Sequence, residues 1–510
     1  MLNIIVQAGG KGTRMRNVAW NKPKCLISIN NKPILYHLFE LYSEANFHII
    51  CDYKKDILEK YLLINKPNIN VNLVEAEEGS ETCSGMQKCL KHIKDDEQIL
   101  ITWSDILYEA KVDLPEEKNN PVIYKTNCFP SRYKVVQNQI VKQKTHKDGI
   151  AGIFFIPNKK YLNNVDKSGS FLKWFIKNIN DYRILEANNI KEIGDYEQYE
   201  KILNEQKSHR FFNKIEFTEN NVIKQCINKN YSHLIDKEKK WYKNIEKYNL
   251  NFIAKIVSEQ PYQIKKISGF HLFNKNLDDD TIRQCIINTI NSLKKLHKCE
   301  KIPSSEIDLR SVYVHKTIER VNSIKNILPF NDKKFITVNG KKCENIFYTN
   351  ETQKHKFNEI FSYLNNNYFT PIHGDPTLSN ILFQEDKNPI FIDPRGYFYK
   401  EGIWGDPYYD FSKLYFSCVG KYDFFNKKDF ILYIGEESVE IFFKNDQIEK
   451  IFEKEILKHF NQEEVKKMEI IHSLIWLSMS AYAIDDVDSI IASHYLGLYY
   501  LEKAIGNTNE

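Results

Sequence analysis

Short apolar runs alternate with stretches of helical spacing along the first 110 residues. The elements predicted in the first 205 residues are strands at Asn3–Gln7, Phe47–Cys51, Val71–Glu75, Gln98–Trp103, Pro121–Lys125, Tyr133–Val136, Ile140–Lys144 and Gly152–Ile156, helices at Ile34–Ala45, Ser84–Ile93 and Phe171–Ile179, and a strand–helix unit at Tyr182–Leu203. Alternation of apolar strands with amphipathic helices is typical of a parallel sheet flanked by helices. The pattern therefore predicts an α/β domain over residues 1–205.

The pattern changes after the polar stretch Asn204–His209, which we interpret as a linker. Residues 211–230 predict two or three short strands, with Lys224 inside the apolar run Val222–Cys226. The remaining predicted elements are helices near 236–248 and 281–298, a strand pair at Ile381–Phe383 and Ile390–Ile392, and mostly helix from Asp410 to the end. These elements predict a second domain over residues 211–510.

Composition agrees with folded domains and excludes several classes of protein. At roughly 150 residues per domain, the 510 residues predict two to four domains. Hydrophobic residues make up 42% and aromatic residues 13%, which is enough for sizeable cores, so disorder is excluded for most of the chain. The formal net charge of +5 is too near balance for a typical nucleic-acid-binding protein.

The cysteines and the apolar segments predict a cytoplasmic protein with reduced thiols. The N-terminus runs directly into a strand and a glycine turn, unlike a signal peptide. The longest apolar stretch, Leu474–Ile484, is too short to span a bilayer. The ten cysteines are scattered without a C-x-x-C pair, which disfavours structural zinc and a disulfide framework. A homo-oligomer is compatible with the sequence, which does not define the oligomeric state.

A glycine-rich segment with several cations follows the first strand. The residues of interest are Gln7, Gly9, Gly10, Lys11, Gly12, Arg14 and Lys24. The glycines would let backbone N–H groups approach a phosphate without a Cβ clash. The three cations would add positive charge where a triphosphate is held and pyrophosphate leaves. Asp105 follows the strand ending at Trp103, at the sheet edge where ligands bind, and is a natural Mg²⁺ ligand there.

Other interpretations of this segment fit less well. Its spacing differs from the G-x-x-x-x-G-K-[ST] of a P-loop, and the G-x-G-x-x-G order of a dinucleotide fingerprint is absent. A glycine pair alone would indicate no more than a tight turn. The strand, the glycine segment, the nearby Asn21–Lys24 and the strand-end Asp105 together favour phosphate binding.

Residues 1–205 resemble the sugar-1-phosphate and MobA-like nucleotidyltransferases, which share a G-G-x-G-T-R-[ML] loop and a nearby K-P-K. The resemblance implies attack of a phosphomonoester oxygen on the α-phosphate of an NTP, with pyrophosphate leaving. It assigns the nucleotide phosphates to Gly9, Gly10, Gly12 and Arg14, the transition state to Lys24, and Mg²⁺ to Asp105.

Two assignments in this half stay open. The family's second acidic metal ligand comes from a D-I-G-T-P-E-D-Y type segment, which here begins Glu192-Ile193-Gly194-Asp195, so the ligand is either Glu192 or Asp195. Gln7 stands where the family usually has Leu or Ala. It would either contact the nucleotide base or only satisfy backbone groups.

A second set of chemical residues follows residue 370. Asp375 and Asn380 are five residues apart, and Asp393 follows a hydrophobic strand. Phosphoryl transfer to a hydroxyl needs a carboxylate near that hydroxyl and two oxygen donors on Mg²⁺, which an H-x-D-x-x-x-x-N loop and a strand-end aspartate supply in kinases. His373 by itself is interpreted as a packed structural histidine.

This run resembles the aminoglycoside phosphotransferase and choline-kinase-like families, whose motif is H-G-D-x-x-x-x-N followed by I-D. The resemblance implies that Asp375 is the catalytic base and that Asn380 and Asp393 hold Mg²⁺. It implies further that Lys224 contacts the ATP phosphates, with Glu238 on the following helix as its partner.

The segment Gly405–Asp410 matches the family's G-D-P-x-x-D, whose aspartates are expected to brace the catalytic loop. Two features depart from the family. Phe211–Cys226 has no G-x-G-x-x-G loop, so a different hairpin must cover ATP, and Pro394-Arg395-Gly396 replaces the usual aromatic residue after I-D. Arg395 would either clamp an anionic acceptor or pair with a nearby carboxylate.

Together the resemblances imply an N-terminal Rossmann-like nucleotidyltransferase domain and a C-terminal α+β bilobal kinase-like domain. ATP would phosphorylate a small alcohol or sugar, and the phosphomonoester would accept a nucleotidyl group from an NTP, with CTP slightly favoured by analogy. The NDP-activated product would serve capsule or lipopolysaccharide assembly, with Mg²⁺ as cofactor. The alternatives are a phosphocholine-type cytidylyltransferase with choline kinase, a nucleotidyltransferase with a non-catalytic kinase-like binding module, and a regulatory nucleotide sensor.

Overall fold

The structure of the chain, a computed structural model, describes residues 1–77, 81–116, 119–205, 213–227, 232–274, 277–444 and 447–506. The chain divides into two units with separate hydrophobic cores. The first unit comprises Met1–Lys207 and Asp485–Asp488, and the second comprises Ser208–Ile484 and Ser489–Glu510. Of the predicted linker, Asn204 and Glu205 end a helix, and residues 206–209 lie outside the described residues.

The first unit is built on one large mixed sheet. The strands of the first unit, which include two small two-stranded sheets, are β1 (Leu2–Gln7), β2 (Ser28–Ile29), β3 (Lys32–Pro33), β4 (Asn46–Cys51), β5 (Val71–Glu75), β6 (Gln98–Trp103), β7 (Ile106–Tyr108), β8 (Val122–Thr126), β9 (Lys134–Val136), β10 (Gln139–Val141), β11 (Gly149–Ile156), β12 (Arg183–Glu186) and β13 (Ile190–Glu192). The main path of the sheet has the order β10-β9-β11-β6-β1-β4-β5. Strand β8 also pairs with β11, and β12 pairs with β8.

The centre of this sheet is parallel, as the alternating pattern predicts. Strand β1 pairs in parallel with β4 and β6, and β4 pairs in parallel with β5. Ile4 and Ile5 on β1 and Leu100 on β6 have no accessible surface, because central parallel strands are covered on both faces. The register pairs Gln7 with Trp103, so the carboxyl ends of β1 and β6 meet at one edge of the sheet.

The helices of the first unit are α1 (Ile34–Leu41), α2 (Lys55–Ile64), α3 (Met86–Leu90), α4 (Phe171–Asn178) and α5 (Tyr196–Glu205), with 3₁₀ turns at Thr13–Ala19, Lys24–Leu26, Glu81–Cys83 and Lys159–Leu162. The helix predicted over Ser84–Ile93 is shorter in the structure, where α3 covers Met86–Leu90. Gly85 adopts a left-handed conformation immediately before α3, with φ of +79°. A Cβ at Gly85 would lie 2.7 Å from the Ile50 side chain, which leaves room for glycine only.

The second unit begins with a four-stranded antiparallel sheet. The strands of this unit are β14 (Asn213–Phe217), β15 (Asn221–Cys226), β16 (Ile256–Glu259), β17 (Tyr262–Lys265), β18 (Ile302–Pro303), β19 (Phe335–Val338), β20 (Lys341–Glu344), β21 (Tyr368–Pro371), β22 (Ile381–Phe383), β23 (Pro389–Phe391), β24 (Trp404–Gly405), β25 (Phe430–Ile434) and β26 (Ser438–Phe443). The first sheet has the order β14-β15-β17-β16. Phe211 and Phe212, part of the predicted strand region, lie outside the described residues.

The rest of the second unit is mainly helical. Its helices are α6 (Ser232–Ile245), α7 (Asp279–His297), α8 (Glu306–Arg310), α9 (Lys316–Ile324), α10 (Asn350–Ser362), α11 (Pro407–Cys418), α12 (Tyr422–Asn426), α13 (Ile448–His459), α14 (Gln462–Tyr482) and α15 (Val487–Ile505), with a π-helical turn at Ser311–His315 and 3₁₀ turns at Glu246–Tyr248, Leu272–Asn274, Lys325–Ile327 and Leu378–Asn380. The predicted helices near 236–248 and 281–298 correspond to α6 and α7.

The segment after Asp410 is less uniformly helical than predicted. Strands β25 and β26 form an antiparallel hairpin inside it. Leu432, Val439 and Ile441 are buried at alternating positions of these strands, which is the period of a half-buried sheet. Strand β26 also pairs in parallel with β19, so a partner distant in sequence stabilises this hairpin.

Within the described part of the chain, no helix is both long enough and apolar enough to cross a membrane.

Candidate active sites

In the first unit, the glycine segment follows the carboxyl end of β1. Gly12 adopts a left-handed conformation, with φ of +65°. A Cβ at Gly12 would lie 2.9 Å from Cγ of Lys24, so the turn packs directly against the lysine side chain. A Cβ at Gly10 would meet no atom within 4 Å, and Gly10 is exposed. The segment thus presents open backbone beside Lys24, as a phosphate-binding loop requires.

Lys24 joins three parts of the site. Its Nζ donates to Oδ2 of Asp105 at 3.0 Å and to the carbonyl oxygen of Gly194 at 3.2 Å. Both side chains of this ion pair are largely buried. Asp105 lies two residues beyond β6, next to the end of β1, which is where the sequence predicts it.

The pairing of β7 with β13 carries Glu192 to the same place. Glu192 is opposite Ile106 in this antiparallel pair, and the N–H of Ile193 donates to the carbonyl oxygen of Asp105 at 2.7 Å. Burial and the charge of Asp105 raise the pKa of Glu192 to about 7, against the opposing charges of Arg14 and Lys24. Glu192 is therefore a carboxylate held close to a second carboxylate, where an added cation would favour the ionised form.

Asp195, the alternative to Glu192, has another partner. Its Oδ1 accepts a hydrogen bond from the backbone N–H of Gln198 at 3.0 Å in the first turn of α5. A carboxylate that accepts from this position caps the helix N-terminus. The geometry brings Glu192, rather than Asp195, beside the Asp105 backbone.

Gln7 is buried and only partly satisfied. Its Nε2 donates to the carbonyl oxygen of Thr82 at 2.9 Å, and its Oε1 has no hydrogen-bond partner among the described residues. The sequence leaves open whether Gln7 only satisfies backbone groups. Such a role accounts for its Nε2 but not for its Oε1. The Oε1 acceptor at the end of β1 is buried and lacks a partner among the described residues.

Arg14 and Lys11 complete the positive side of this site. Both side chains are exposed, and the charge of Arg14 acts on Glu192. Exposed cations beside the open glycine turn can reach the phosphates of a nucleotide that arrives from solvent.

In the second unit, Lys224 on β15 makes two ion pairs. Its Nζ lies 2.5 Å from Oε2 of Glu238 on α6 and 3.1 Å from Oδ1 of Asp393. Lys224 and Glu238 are both buried, and the Tyr262 hydroxyl donates to Oε1 of Glu238 at 2.9 Å. Burial raises the pKa of Glu238, although the Lys224 charge opposes this shift. The sequence does not single out Tyr262, because no motif marks β17.

Asp393 reaches Lys224 because of the hairpin that precedes it. Strands β22 and β23 are antiparallel, and the N–H of Ile392 donates to the carbonyl oxygen of Asn380 at 3.0 Å. Asp393 follows with a left-handed φ of +54°. The hairpin thus brings the end of the H-G-D-x-x-x-x-N loop and the strand-end aspartate together.

Asp375 and Asn380 also touch each other. Asn380 Nδ2 donates to Oδ2 of Asp375 at 3.1 Å and to its carbonyl oxygen at 2.9 Å. Lys413 on α11 lies 2.8 Å from the other carboxylate oxygen, Oδ1. Lys413 is another residue that the sequence does not identify, although it lies only three positions after Asp410.

The loop that carries Asp375 is held from behind by Asp410. This buried carboxylate accepts from the backbone N–H groups of His373 and Gly374 at 2.9 and 2.7 Å, and from Nε2 of His297 at 2.9 Å. The predicted bracing by the G-D-P-x-x-D segment is confirmed for Asp410. Asp406 instead caps α11 and accepts from the N–H of Tyr408 at 3.1 Å.

His373 is packed in the interior rather than open to substrate. The ring is buried, and its Nε2 lies 3.0 Å from the carbonyl oxygen of Ile392. Burial lowers the pKa of His373, which keeps the ring neutral near pH 7. These contacts are those of the structural histidine that the sequence analysis favours.

The carboxylates of both sites fit Mg²⁺ only together with phosphate oxygens. Among the residues that the structure describes, no group of three or more His, Cys, Asp or Glu side chains could hold a metal ion by itself. Mg²⁺ is usually bound by one or two carboxylates plus substrate phosphates. The pairs Asp105 with Glu192 and Asn380 with Asp393 supply that number of oxygen donors.

Comparison with known proteins agrees with the geometry of the first unit. The profile of the family described as Nucleotidyl transferase matches residues 3–124. The chain is 25% identical over 205 residues to the glucose-1-phosphate cytidylyltransferase of Salmonella typhimurium, with 33% of this chain and 80% of the relative covered. The first unit is a nucleotidyltransferase domain. Its fold is Rossmann-like, within a chain of mixed α/β structure.

Two further proteins are similar to the nucleotidyltransferase domain. The chain is 34% identical over 109 residues to the bifunctional protein GlmU of Saccharophagus degradans, with 21% of this chain and 23% of the relative covered. The crystal structure of HddC from Yersinia pseudotuberculosis is 22% identical and aligns with 41% of this chain and 100% of its own, with a TM-score of 0.35. The family assignment of the domain rests on the sequence matches.

Proposed function

We propose that this chain is a bifunctional enzyme that phosphorylates a small alcohol or sugar and then attaches a nucleotidyl group to the product. In the second unit, the acceptor hydroxyl attacks the γ-phosphate of ATP, and ADP leaves. In the nucleotidyltransferase domain, an oxygen of the phosphomonoester attacks the α-phosphate of an NTP, and pyrophosphate leaves. The NDP-activated product is a building block for capsule or lipopolysaccharide assembly.

The cluster of Lys24, Asp105 and Glu192 supports the nucleotidyl step. Lys24 Nζ lies where it could stabilise charge that develops on the α-phosphate oxygens. On this proposal Asp105 and Glu192 hold Mg²⁺, and Asp195 remains a helix cap. The bound ion would neutralise phosphate charge and orient the triphosphate.

The name of a relative and the side chain of Gln7 support a choice of NTP and acceptor for this step. The Salmonella relative is by name a glucose-1-phosphate cytidylyltransferase, which supports CTP and a sugar phosphate. Gln7 Oε1 is a buried acceptor without a partner among the described residues, so it could accept a hydrogen bond from the base. Gly9, Gly10, Gly12, Lys11 and Arg14 would hold the phosphates.

The ion pairs of Lys224 with Glu238 and Asp393 are the observation that carries the kinase half. A buried lysine shared by a helix carboxylate and a strand-end aspartate is the arrangement with which kinases hold ATP phosphates beside a metal ligand. Asn380 and Asp393 would hold Mg²⁺. Asp375 would accept the hydroxyl proton, because its carboxylate is partly accessible and is held by Asn380.

Single substitutions test the two halves separately. Asp375→Ala should abolish ADP formation and leave nucleotidyl transfer to a presynthesised phosphomonoester intact. Asp105→Ala should abolish nucleotidyl transfer and leave ADP formation intact. The substrates are found with the full chain, Mg²⁺, all four NTPs and a mixed library of sugars and amino alcohols, with products identified by mass spectrometry.

Asp386→Ala and Asp95→Ala are matched controls, because each removes an exposed aspartate from one of the two units. Both variants should keep both activities. Pyrophosphate release without a product from any acceptor would contradict the nucleotidyl half. Calorimetric binding of Mg·ATP without ADP formation from any acceptor would make the second unit a binding module, and choline as the sole acceptor would make the enzyme phosphocholine-type.

A further inference from the structure

Four cationic side chains lie near one another, and two of them lie beside the proposed catalytic base of the second unit. We name the group of Lys316, Arg320, Arg395 and Lys413 the basic recess. Lys316 and Arg320 lie on α9, Lys413 lies on α11, and Arg395 follows Asp393 by two residues. The sequence motifs around residues 375 and 393 do not identify Lys316 or Arg320.

Contacts tie the basic recess to the loop that carries Asp375. Lys413 Nζ lies 2.8 Å from Oδ1 of Asp375. Arg395 packs on the neighbouring residue, because a Cβ at Gly374 would lie 2.8 Å from the Cβ of Arg395. The charges of Arg395, Arg320 and Lys413 all act on Lys316, so the four cations are close together.

The basic recess is partly accessible to solvent. The side chains of Lys413 and Asp375 keep 14% and 23% of their surface accessible. Lys316, Arg320 and Arg395 are also neither fully buried nor exposed. Burial and the neighbouring cations nevertheless lower the pKa of Lys316 well below its ordinary value. A cation that is partly buried yet still accessible can be reached by a ligand from solvent.

The positive charge of the basic recess is not balanced within the described part of the protein. Lys316, Arg320 and Arg395 form no ion pair with any described carboxylate, whereas Lys413 is paired with Asp375. Arg320 Nη1 donates to the backbone oxygen and the Oγ of Ser478, both at 3.1 Å. Arg395 Nη1 donates to the Tyr409 hydroxyl at 2.5 Å.

These partners are neutral, and the charge of Asp375 acts on both Arg395 and Lys413, so the four cations outnumber this carboxylate. Arg395 also lies over the ring of Tyr397, with its Cζ 4.2 Å from the ring centroid. Of the two roles that the sequence leaves open for Arg395, pairing with a carboxylate is therefore not seen among the described residues. Gathering like charges in a partly desolvated cleft is unfavourable unless an anion completes the site.

We propose that the basic recess binds an oxyanion group, phosphate or carboxylate, carried by the acceptor of phosphoryl transfer. This inference rests on the proposed kinase function of the second unit. The anion would contact Lys316 and Arg320, and the hydroxyl of the same molecule would face Asp375. Its oxygen would form the new bond to the γ-phosphorus of ATP as the bond from that phosphorus to the β,γ-bridging oxygen breaks, and Asp375 would take the proton.

The acceptor, rather than ATP, is the occupant that the contacts favour. The lysine proposed for the ATP phosphates is Lys224, which is paired with Glu238 and Asp393. The basic recess instead contacts Asp375 and Gly374, the part of the loop that faces the hydroxyl in phosphoryl transfer. The same site would reject choline and other cationic acceptors, because like charges repel.

The experiment compares the full chain with the double variant Lys316→Gln/Arg320→Gln. Thermal unfolding is followed with Mg²⁺ and a saturating non-hydrolysable ATP analogue, so that the ATP site is filled. Inorganic phosphate, glucose 6-phosphate, glucuronate, glucose and choline are then added in separate arms. The double variant Arg310→Gln/Lys400→Gln is the matched control, because it removes the same charge from outside the basic recess.

We expect phosphate and at least one of the two anionic sugars to stabilise the wild-type chain and the control, and glucose and choline to do so less. The sugar arms distinguish a phosphate from a carboxylate as the anionic group. In Lys316→Gln/Arg320→Gln, the Kd for the anion should rise by about 10-fold or more, as for loss of a charged hydrogen bond.

Two results would overturn the inference: anions that do not stabilise the wild-type chain, or anions that stabilise the double variant equally well. Failure of the proposed kinase function has a different signature. The wild-type chain would show no shift with the ATP analogue, while loss of anion binding in the double variant would still establish the basic recess as an anion site.

Discussion

The side chain of Gln7 combines a structural hydrogen bond with an oxygen proposed to bind the nucleotide base. The Nε2 of Gln7 is bound to the Thr82 carbonyl, and its buried Oε1 has no partner among the described residues. We predict that Gln7→Leu raises the KM for the NTP by up to about tenfold, the worth of one hydrogen bond, and changes the preference among the four NTPs. Initial rates of pyrophosphate release with each NTP measure both effects.

Gln87→Leu is the control for this substitution. Gln87 Nε2 makes the same type of bond, to the Val165 carbonyl at 2.8 Å, and Gln87 is exposed. Its replacement should leave all four KM values unchanged. An unchanged KM in Gln7→Leu, together with a lower unfolding temperature, would assign Gln7 to the backbone alone.

The buried side chain of His472 is expected to make the second unit less stable in acid. The ring is fully buried, its Nε2 accepts from Nε1 of Trp476 at 2.9 Å, and its Nδ1 has no partner among the described residues. Burial lowers the pKa of His472 to about 3, whereas the unfolded chain keeps the ordinary value near 6.5. Below about pH 6.5 the unfolded state therefore binds a proton that the folded state excludes.

The sign of this effect is that stability falls as the pH drops from 6.5 towards 3. The loss approaches about 1.4 kcal/mol per pH unit for this one group. We predict that His472→Gln makes the free energy of unfolding of the second unit less steep in pH between 7.5 and 5. Urea unfolding followed by tryptophan fluorescence measures it. His355→Gln, at an exposed position, should keep the wild-type slope, and an equally steep His472→Gln would contradict the prediction.

At the scale of elements, the β7–β13 pair decides which acidic residue serves the nucleotidyl site. Register places Glu192 opposite Ile106, and Asp195 caps α5. We predict that Glu192→Gln lowers the rate of nucleotidyl transfer by about 100-fold or more, because a proposed metal ligand is lost. Rates with a presynthesised phosphomonoester and varied Mg²⁺ concentration test this.

Asp195→Ala is the comparison within the same segment. Loss of a helix cap costs about 0.5–2 kcal/mol of stability, so this variant should unfold earlier but transfer nucleotide at a rate within a few-fold of wild type. If nucleotidyl transfer were instead much slower in Asp195→Ala than in Glu192→Gln, Asp195 would be the metal ligand.

Elements whose signal is local are predictable from the sequence, and those that depend on distant partners are not. Strand β6 is predicted residue for residue, because a central strand covered on both faces is a largely continuous apolar run. The hairpin of β25 and β26 is missed, although its alternating pattern is present, because its pairing with β19 joins segments about 100 residues apart. The start of α3 at Met86 rather than Ser84 has a tertiary reason, the left-handed Gly85 packed against Ile50.

Across the whole chain, the residues of the candidate sites also divide into those with a local sequence signal and those placed by tertiary packing. Lys24, Asp105, Asp375 and Asp393 belong to motifs, and Asp105 and Asp393 each lie two residues beyond the end of a strand. Lys316 and Arg320 carry no motif, and only tertiary packing brings α9 near the loop of Asp375. Sequence reasoning therefore finds the residues expected to act on phosphates, and the structure adds those expected to choose the acceptor.

The two units each hold a separate set of proposed catalytic residues, so the overall reaction should survive their separation onto different chains. We predict that a mixture of Asp375→Ala and Asp105→Ala chains converts acceptor, ATP and CTP into the nucleotidyl product, although neither variant does so alone. The phosphomonoester made by the Asp105→Ala chain would diffuse to the intact nucleotidyltransferase domain of the other. Product formation should therefore begin after a lag that shortens as the concentration of the Asp105→Ala chain rises. Time courses by mass spectrometry measure the lag, and a mixture that stays inactive while each half-reaction proceeds would show that the intermediate must remain on one chain.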